Sequence, residues 1–143
     1  VGVRPRGDGA FVLDVTGPEP KRLWQADSGS PDVASPILHD GLIYIIDDRQ
    51  KALRCVEART QEELWSRRLG VRAPIWASPT LADDKVYCMS KRGEFRVVSA
   101  GRQGGQAVAQ VDLNERYTLA SPTVVGDTIL IRTPKELICV EKR

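Results

Sequence analysis

Nucleophilic catalysis through a Ser-His-Asp or Cys-His arrangement would have to pass through His39, the single histidine of this 143-residue chain. His39 falls in His39-Asp40-Gly41, a turn by composition, and is expected there as a solvated side chain. Carboxylates offer a second chemistry. Asp40, Asp47, Asp48, Asp83, Asp84 and Asp127 could ligate a hard cation, but Ca2+ takes about six to eight oxygens and these residues sit mainly in hairpin turns. One histidine without paired cysteines does not suit zinc, and there is no phosphate-cradling glycine motif.

Cys55, Cys88 and Cys139 are far apart and form no metal-type pair. Cys55 and Cys139 share a position at which a related stretch carries Val97, and a site that takes Cys or Val is a small, buried apolar one. All three thiols are therefore expected to be packed. Formal net charge is +2, too small to argue for nucleic acid or an anionic membrane. Arg67, Arg68 and Arg72 form the densest basic patch and read as a solvated edge. No apolar run is long enough to span a membrane. Arg6-Gly7-Asp8 spells an adhesion tripeptide, but in a Gly-rich loop three residues carry little information. The first residue is Val1, and the expectation is a segment of a longer chain.

The elements that must position these residues repeat. Ala34-Ser35-Pro36 returns as Ala77-Ser78-Pro79 and Ala120-Ser121-Pro122, at two intervals of 43 residues. Each copy continues with an apolar pair (Ile37-Leu38, Thr80-Leu81, Thr123-Val124) and an Asp/Gly turn. A second run centred on Tyr44, Tyr87 or Leu130 follows. A third run covers residues 53–56, 95–98 or 137–140, and a fourth covers 64–69 or 107–111. These short runs, rich in Val, Ile, Leu and Tyr, suit pleated strands rather than helices.

Four antiparallel strands in a unit of this length predict an all-β fold of β-propeller blades, each stable only against its neighbour. The chain is divided into the end of an upstream blade (1–33), two blades (34–76 and 77–119) and an incomplete final blade (120–143), a partial propeller of about thirteen strands. The last blade is expected to borrow its outer strand from the start of a parent chain.

The stretch from Cys55 to Trp65 resembles the tryptophan-docking segment of pyrroloquinoline-quinone-type propeller repeats. Ala58, Thr60 and Trp65 match that pattern, and Gln61 stands where Gly is usual. The Ser-Pro pairs at Ser35, Ser78 and Ser121 also match the start of the family's inner strand. In the next copy Ala100-Gly101-Arg102 and Val108 replace the docking residues. The resemblance implies that Trp24 and Trp65, on outer strands, dock against a neighbouring blade. Trp76, at the entrance to an inner strand, is left between axial packing and lining a central pocket. Residues 72–76 and 115–119 occupy equivalent connections, which makes Arg72, Trp76, Arg116 and Tyr117 the expected contact face.

Two functions follow from the resemblance. One is a non-catalytic protein-binding or scaffolding module of a bacterial extracytoplasmic protein, like the propeller lipoprotein of outer-membrane barrel assembly. Its partner would be another protein or the remaining blades, with no nucleic acid and no membrane span. The other is part of a quinoprotein dehydrogenase, which implies pyrroloquinoline quinone, a bound Ca2+ and an Asp base. No catalytic, cofactor-binding or metal residue is assigned within these residues, and the quinone and Ca2+ are left to a full-length parent.

Overall fold

The computed structural model describes residues 2–3, 10–26 and 31–141; Arg6-Gly7-Asp8 lies outside them. The chain is an all-β partial propeller of four antiparallel sheets. The first contains β1 (Gly2–Val3), β2 (Ala10–Asp14) and β3 (Lys21–Ala26). The second contains β4 (Ile37–His39), β5 (Leu42–Asp47), β6 (Ala52–Glu57) and β7 (Glu63–Arg68). The third contains β8 (Thr80–Ala82), β9 (Lys85–Met89), β10 (Glu94–Ser99) and β11 (Ala107–Asp112). The fourth contains β12 (Thr123–Val125), β13 (Thr128–Arg132) and β14 (Leu137–Glu141). Spatial order within each sheet follows chain order, and no helix among the described residues is long and apolar enough to cross a membrane.

The sequence period reappears as strand register. Ile37 faces Tyr44, Thr80 faces Tyr87, and Thr123 faces Leu130. Tyr44, Tyr87 and Leu130 in turn face Cys55, Val97 and Cys139. The first hairpin of the second sheet closes through Asp40-Gly41 (φ 47° and 73°), and that of the third through Asp83-Asp84 (φ 47° and 53°). Two consecutive left-handed residues make a turn whose twist matches that of the flanking strands. Asp is among the few side chains that tolerate this region. His39 is therefore the last residue of β4, opposite Leu42, and the turn proper begins at Asp40.

Alternation along the second strand of each blade explains the stacking. On β5, Ile43 and Ile45 join Ala10, Val12 and Trp24 of the first sheet. Leu42, Tyr44 and Ile46 join Val86, Cys88 and Val98 of the third. Tyr87 and Met89 on β9 then meet Ile131 and Val124 of the fourth. Successive side chains point to opposite faces, so one strand serves two interfaces. Near the axis, Ser35 N–H donates to Ser78 Oγ at 2.9 Å, and Thr80 Oγ1 donates to the Pro122 carbonyl. The Ala-Ser-Pro segments thus lead the innermost strands.

Two expectations need correction. Cys139 is exposed, whereas Cys55 and Cys88 are buried. Cys139 has the same register as Cys55, but among the described residues no further sheet covers β14. Val108 is also not the counterpart of Trp65. In each outer strand one residue is bulged out of register: Leu23 before Trp24, Leu64 before Trp65, and Val108 before Ala109. Ala109, opposite Val97, therefore occupies the tryptophan position, one residue later than the period suggests.

Candidate binding face

The bulges aim the two outer-strand tryptophans at the next blade. Trp24 Nε1 donates to the Ala58 carbonyl at 2.7 Å, and Trp65 Nε1 donates to the Gly101 carbonyl at 2.8 Å. Both acceptors lie in the connection after a third strand. Tyr44 braces the second contact: its ring lies 6.0 Å from that of Trp65, and its hydroxyl accepts the Gly101 N–H at 2.8 Å. Gly105, at φ +89°, lies against the indole; a Cβ there would stand 3.1 Å from Trp65 Cδ2. The loose Gly101–Gly105 connection thus has a steric reason, because only a residue without a side chain lets backbone approach the ring this closely.

The residues expected to form a contact face arise from the connections between blades. From Val71 to Ala77 the chain alternates: Val71, Ala73, Ile75 and Ala77 are buried, while Arg72 and Pro74 are exposed and Trp76 is partly so. Residues 113–119 form the equivalent connection in the next blade. There Arg116 and Tyr117 are exposed, and Asn114 and Tyr117 have left-handed backbones at φ 54° and 63°. A positive φ costs a bulky L-residue roughly 1–2 kcal/mol, so Tyr117 is held outward against its local preference. Its neighbour Thr118 is buried, and Thr118 Oγ1 has no hydrogen-bond partner among the described residues.

Arg72, Arg116 and Tyr117 line one depression of about 460 Å³ together with Ala73, Pro74, Lys91 and Arg92. Lys91 Nζ lies 4.2 Å from the Trp76 ring centroid and 4.7 Å from that of Tyr117. This cation–π sandwich ties Trp76 to the depression through Lys91. The Lys91 backbone joins both connections as well: its N–H donates to the Pro74 carbonyl and its carbonyl accepts the Thr118 N–H. Lys91 and Arg92 escaped the sequence reading. The signal was topological: in an up-and-down sheet the turn between strands two and three lies on the same edge as the connections between blades.

A buried carboxylate fixes the rim. Glu94 Oε1 accepts the Arg72 N–H at 2.9 Å, Oε2 accepts the Ala73 N–H at 3.2 Å, and Ser90 Oγ donates to Oε2 at 2.7 Å. Burial pushes this carboxyl up, but the hydrogen bonds from Ser90, Arg72 and Ala73 outweigh it and hold it down at about 2. Arg96 extends the clamp by donating from Nε to the Leu69 carbonyl at 3.0 Å and from Nη1 to Asp112 Oδ1 at 2.7 Å. Elsewhere His39 Nε2 is 3.4 Å from Asp40 Oδ2, and both side chains are exposed.

Residues 12–143 match the family described as outer membrane protein assembly factor BamB. The chain belongs to this BamB family. No curated protein matches the sequence significantly. Among solved structures it is similar to BamB from Moraxella catarrhalis, at 18% identity and a TM-score of 0.67, covering 94% of this chain and 42% of that one. The BamB-family chain thus spans less than half of that relative. It is also similar to quinohemoprotein alcohol dehydrogenase from Comamonas testosteroni, at 16% identity and a TM-score of 0.55, covering 69% of this chain and 16% of that one. A europium-containing methanol dehydrogenase gives 18% identity, a TM-score of 0.54, and coverage of 74% and 23%. These identities speak to the shared pyrroloquinoline-quinone-like propeller fold.

Among the described residues no three His, Cys, Asp or Glu side chains converge as metal ligands. The buried carboxylates already serve backbone donors: Glu94 holds Arg72 and Ala73, and Asp47 Oδ1 accepts the Gln50 N–H at 3.0 Å. Asp48 Oδ1 likewise accepts the Ile75 N–H at 3.0 Å.

Proposed function

We propose that this segment is a non-catalytic protein-binding module of an extracytoplasmic assembly factor. The observation that carries the reading is the convergence of Arg72, Lys91, Arg92, Arg116 and Tyr117 on one depression at the edge of the blades. Tyr117 remains 66% exposed there despite its left-handed backbone, a placement that packing does not require. Rigid sheets presenting shaped connections suit partner recognition, and membership of an assembly-factor family supports the same role. The extracytoplasmic location rests on that family membership.

Two measurements test the reading. The full-length protein, tagged in its own cells, is expected to co-purify with outer-membrane assembly components after mild crosslinking. An Arg92→Glu/Arg116→Glu variant is expected to lose them. Co-purification unaffected by that variant would move the contact elsewhere. For the dehydrogenase alternative, the full-length protein with added pyrroloquinoline quinone and Ca2+ is expected to give no saturable dye reduction with alcohols or sugars. Turnover would overturn the non-catalytic reading.

A further inference from the structure

We infer that the depression between the two inter-blade connections receives a short acidic segment of the partner protein, a proposal that rests on the protein-binding reading above. Four cationic side chains, Arg72, Lys91, Arg92 and Arg116, line it alongside Tyr117. The carboxylates nearby are already engaged. Glu94 is committed to Arg72, Ala73 and Ser90, Asp112 to Arg96, and Glu115 Oε2 lies 3.9 Å from Lys135 Nζ. The guanidinium groups of Arg92 and Arg116 have no carboxylate partner among the described residues. Two unpaired guanidiniums present forked donors that match carboxylates.

The surroundings limit what can bind. An adjoining hollow of about 200 Å³ is lined by Arg72, Arg92 and Arg116 but also by Glu94, Asp112 and Glu115. A long polyphosphate crossing both hollows would meet carboxylates after the first few charges. Net charge is only +2, so no broad positive field favours such a chain. A segment with two or three acidic side chains and an adjacent apolar one fits better: its carboxylates face Arg92 and Arg116, and its apolar side chain lies on Tyr117. The ammonium of Lys91, held between Trp76 and Tyr117, completes the positive floor.

The test is fluorescence anisotropy on the whole chain, with a labelled peptide Gly-Asp-Glu-Phe-Glu-Gly, its Asn/Gln counterpart, and an oligothymidylate of similar length. The acidic peptide should bind, and binding should weaken as salt shortens the screening length from ~10 Å at 0.1 M toward ~3 Å at 1 M. Arg92→Glu/Arg116→Glu should weaken it by about tenfold or more, the scale of losing two charge-assisted pairs. Arg67→Glu/Arg68→Glu, on the outer strand, should leave it unchanged. Tyr117→Gly, which relieves the left-handed backbone, should retain or raise the melting temperature and weaken binding by about threefold. Equal binding of the amide peptide, equal loss in the Arg67/Arg68 variant, or tighter binding of the oligothymidylate would each overturn the proposal. If the acidic peptide fails while the full-length protein still captures assembly components, the acidic-segment proposal falls and the protein-binding reading stands.

Discussion

Replacing Trp65 by Ala removes one of the contacts that join the second blade to the third. The indole is part-buried; an aromatic side chain buries ~150–250 Å² when fully covered, so on the order of 120–180 Å² is removed from water here. At ~25 cal/mol per Å² this is an upper limit of roughly 3–4 kcal/mol. The Nε1–H bond to Gly101, at 2.8 Å, contributes about 1 kcal/mol more. The tilted pair with Tyr44, centroids 6.0 Å apart, contributes about 0.5–1.5 kcal/mol. Allowing for residual burial in the unfolded chain, Trp65→Ala should cost about 3–5 kcal/mol. Urea unfolding at 25 °C, followed by far-UV circular dichroism, measures this directly. At a slope of about 2 kcal/mol/M the midpoint should fall by roughly 2 M. Trp65→Phe, which keeps a ring but loses the donor, should cost about 1–2 kcal/mol. A Trp65→Ala curve superimposable on the parent's would refute docking by this indole.

Three further outcomes are expected. Glu94 is held at about 2 in the folded chain against an ordinary 4.5, so its stabilisation is fully present above pH 4.5 and is lost as pH falls toward 2. Glu94→Gln should cost roughly 3 kcal/mol at pH 7 and flatten the stability profile across that window, and a variant as steep as the parent there would contradict the assignment. Burial pushes Cys55 up to about 11 and Cys88 up to about 12, whereas Cys139 is exposed. Thiol titration at pH 8 should therefore modify Cys139 in the folded 143-residue chain and the other two only on unfolding; three equally fast reactions would refute the packing described. Thr118→Val removes a buried hydroxyl that has no partner among the described residues, so it should be neutral or raise stability by up to about 1 kcal/mol. A loss of more than about 1 kcal/mol in thermal or urea unfolding would show that the hydroxyl is engaged.

The sequence by itself determined the blade. The 43-residue spacing of the Ala-Ser-Pro segments became the shared register of Tyr44, Tyr87 and Leu130. Short apolar runs and Asp/Gly turns are local signals, and strand alternation and hairpin closure depend only on neighbours in the chain. The bulge that carries the tryptophan place from Val108 to Ala109 was not legible, because a bulge is defined by the facing strand. Neither was the exposure of Cys139, which depends on a neighbouring sheet and not on its own residue pattern.

Arg72, Arg116 and Tyr117 could be placed on equivalent connections from the repeat alone. Bringing Lys91 and Arg92 between them required the sheets to be stacked, since the rotation from blade to blade sets which turn meets which connection. The same stacking put Glu94 under the Arg72 backbone, where the Arg72 and Ala73 N–H groups, the Ser90 hydroxyl and the Arg72 guanidinium together hold its charge. Local chemistry therefore fixed what each blade is, and contacts between rigid sheets decided which side chains share a surface.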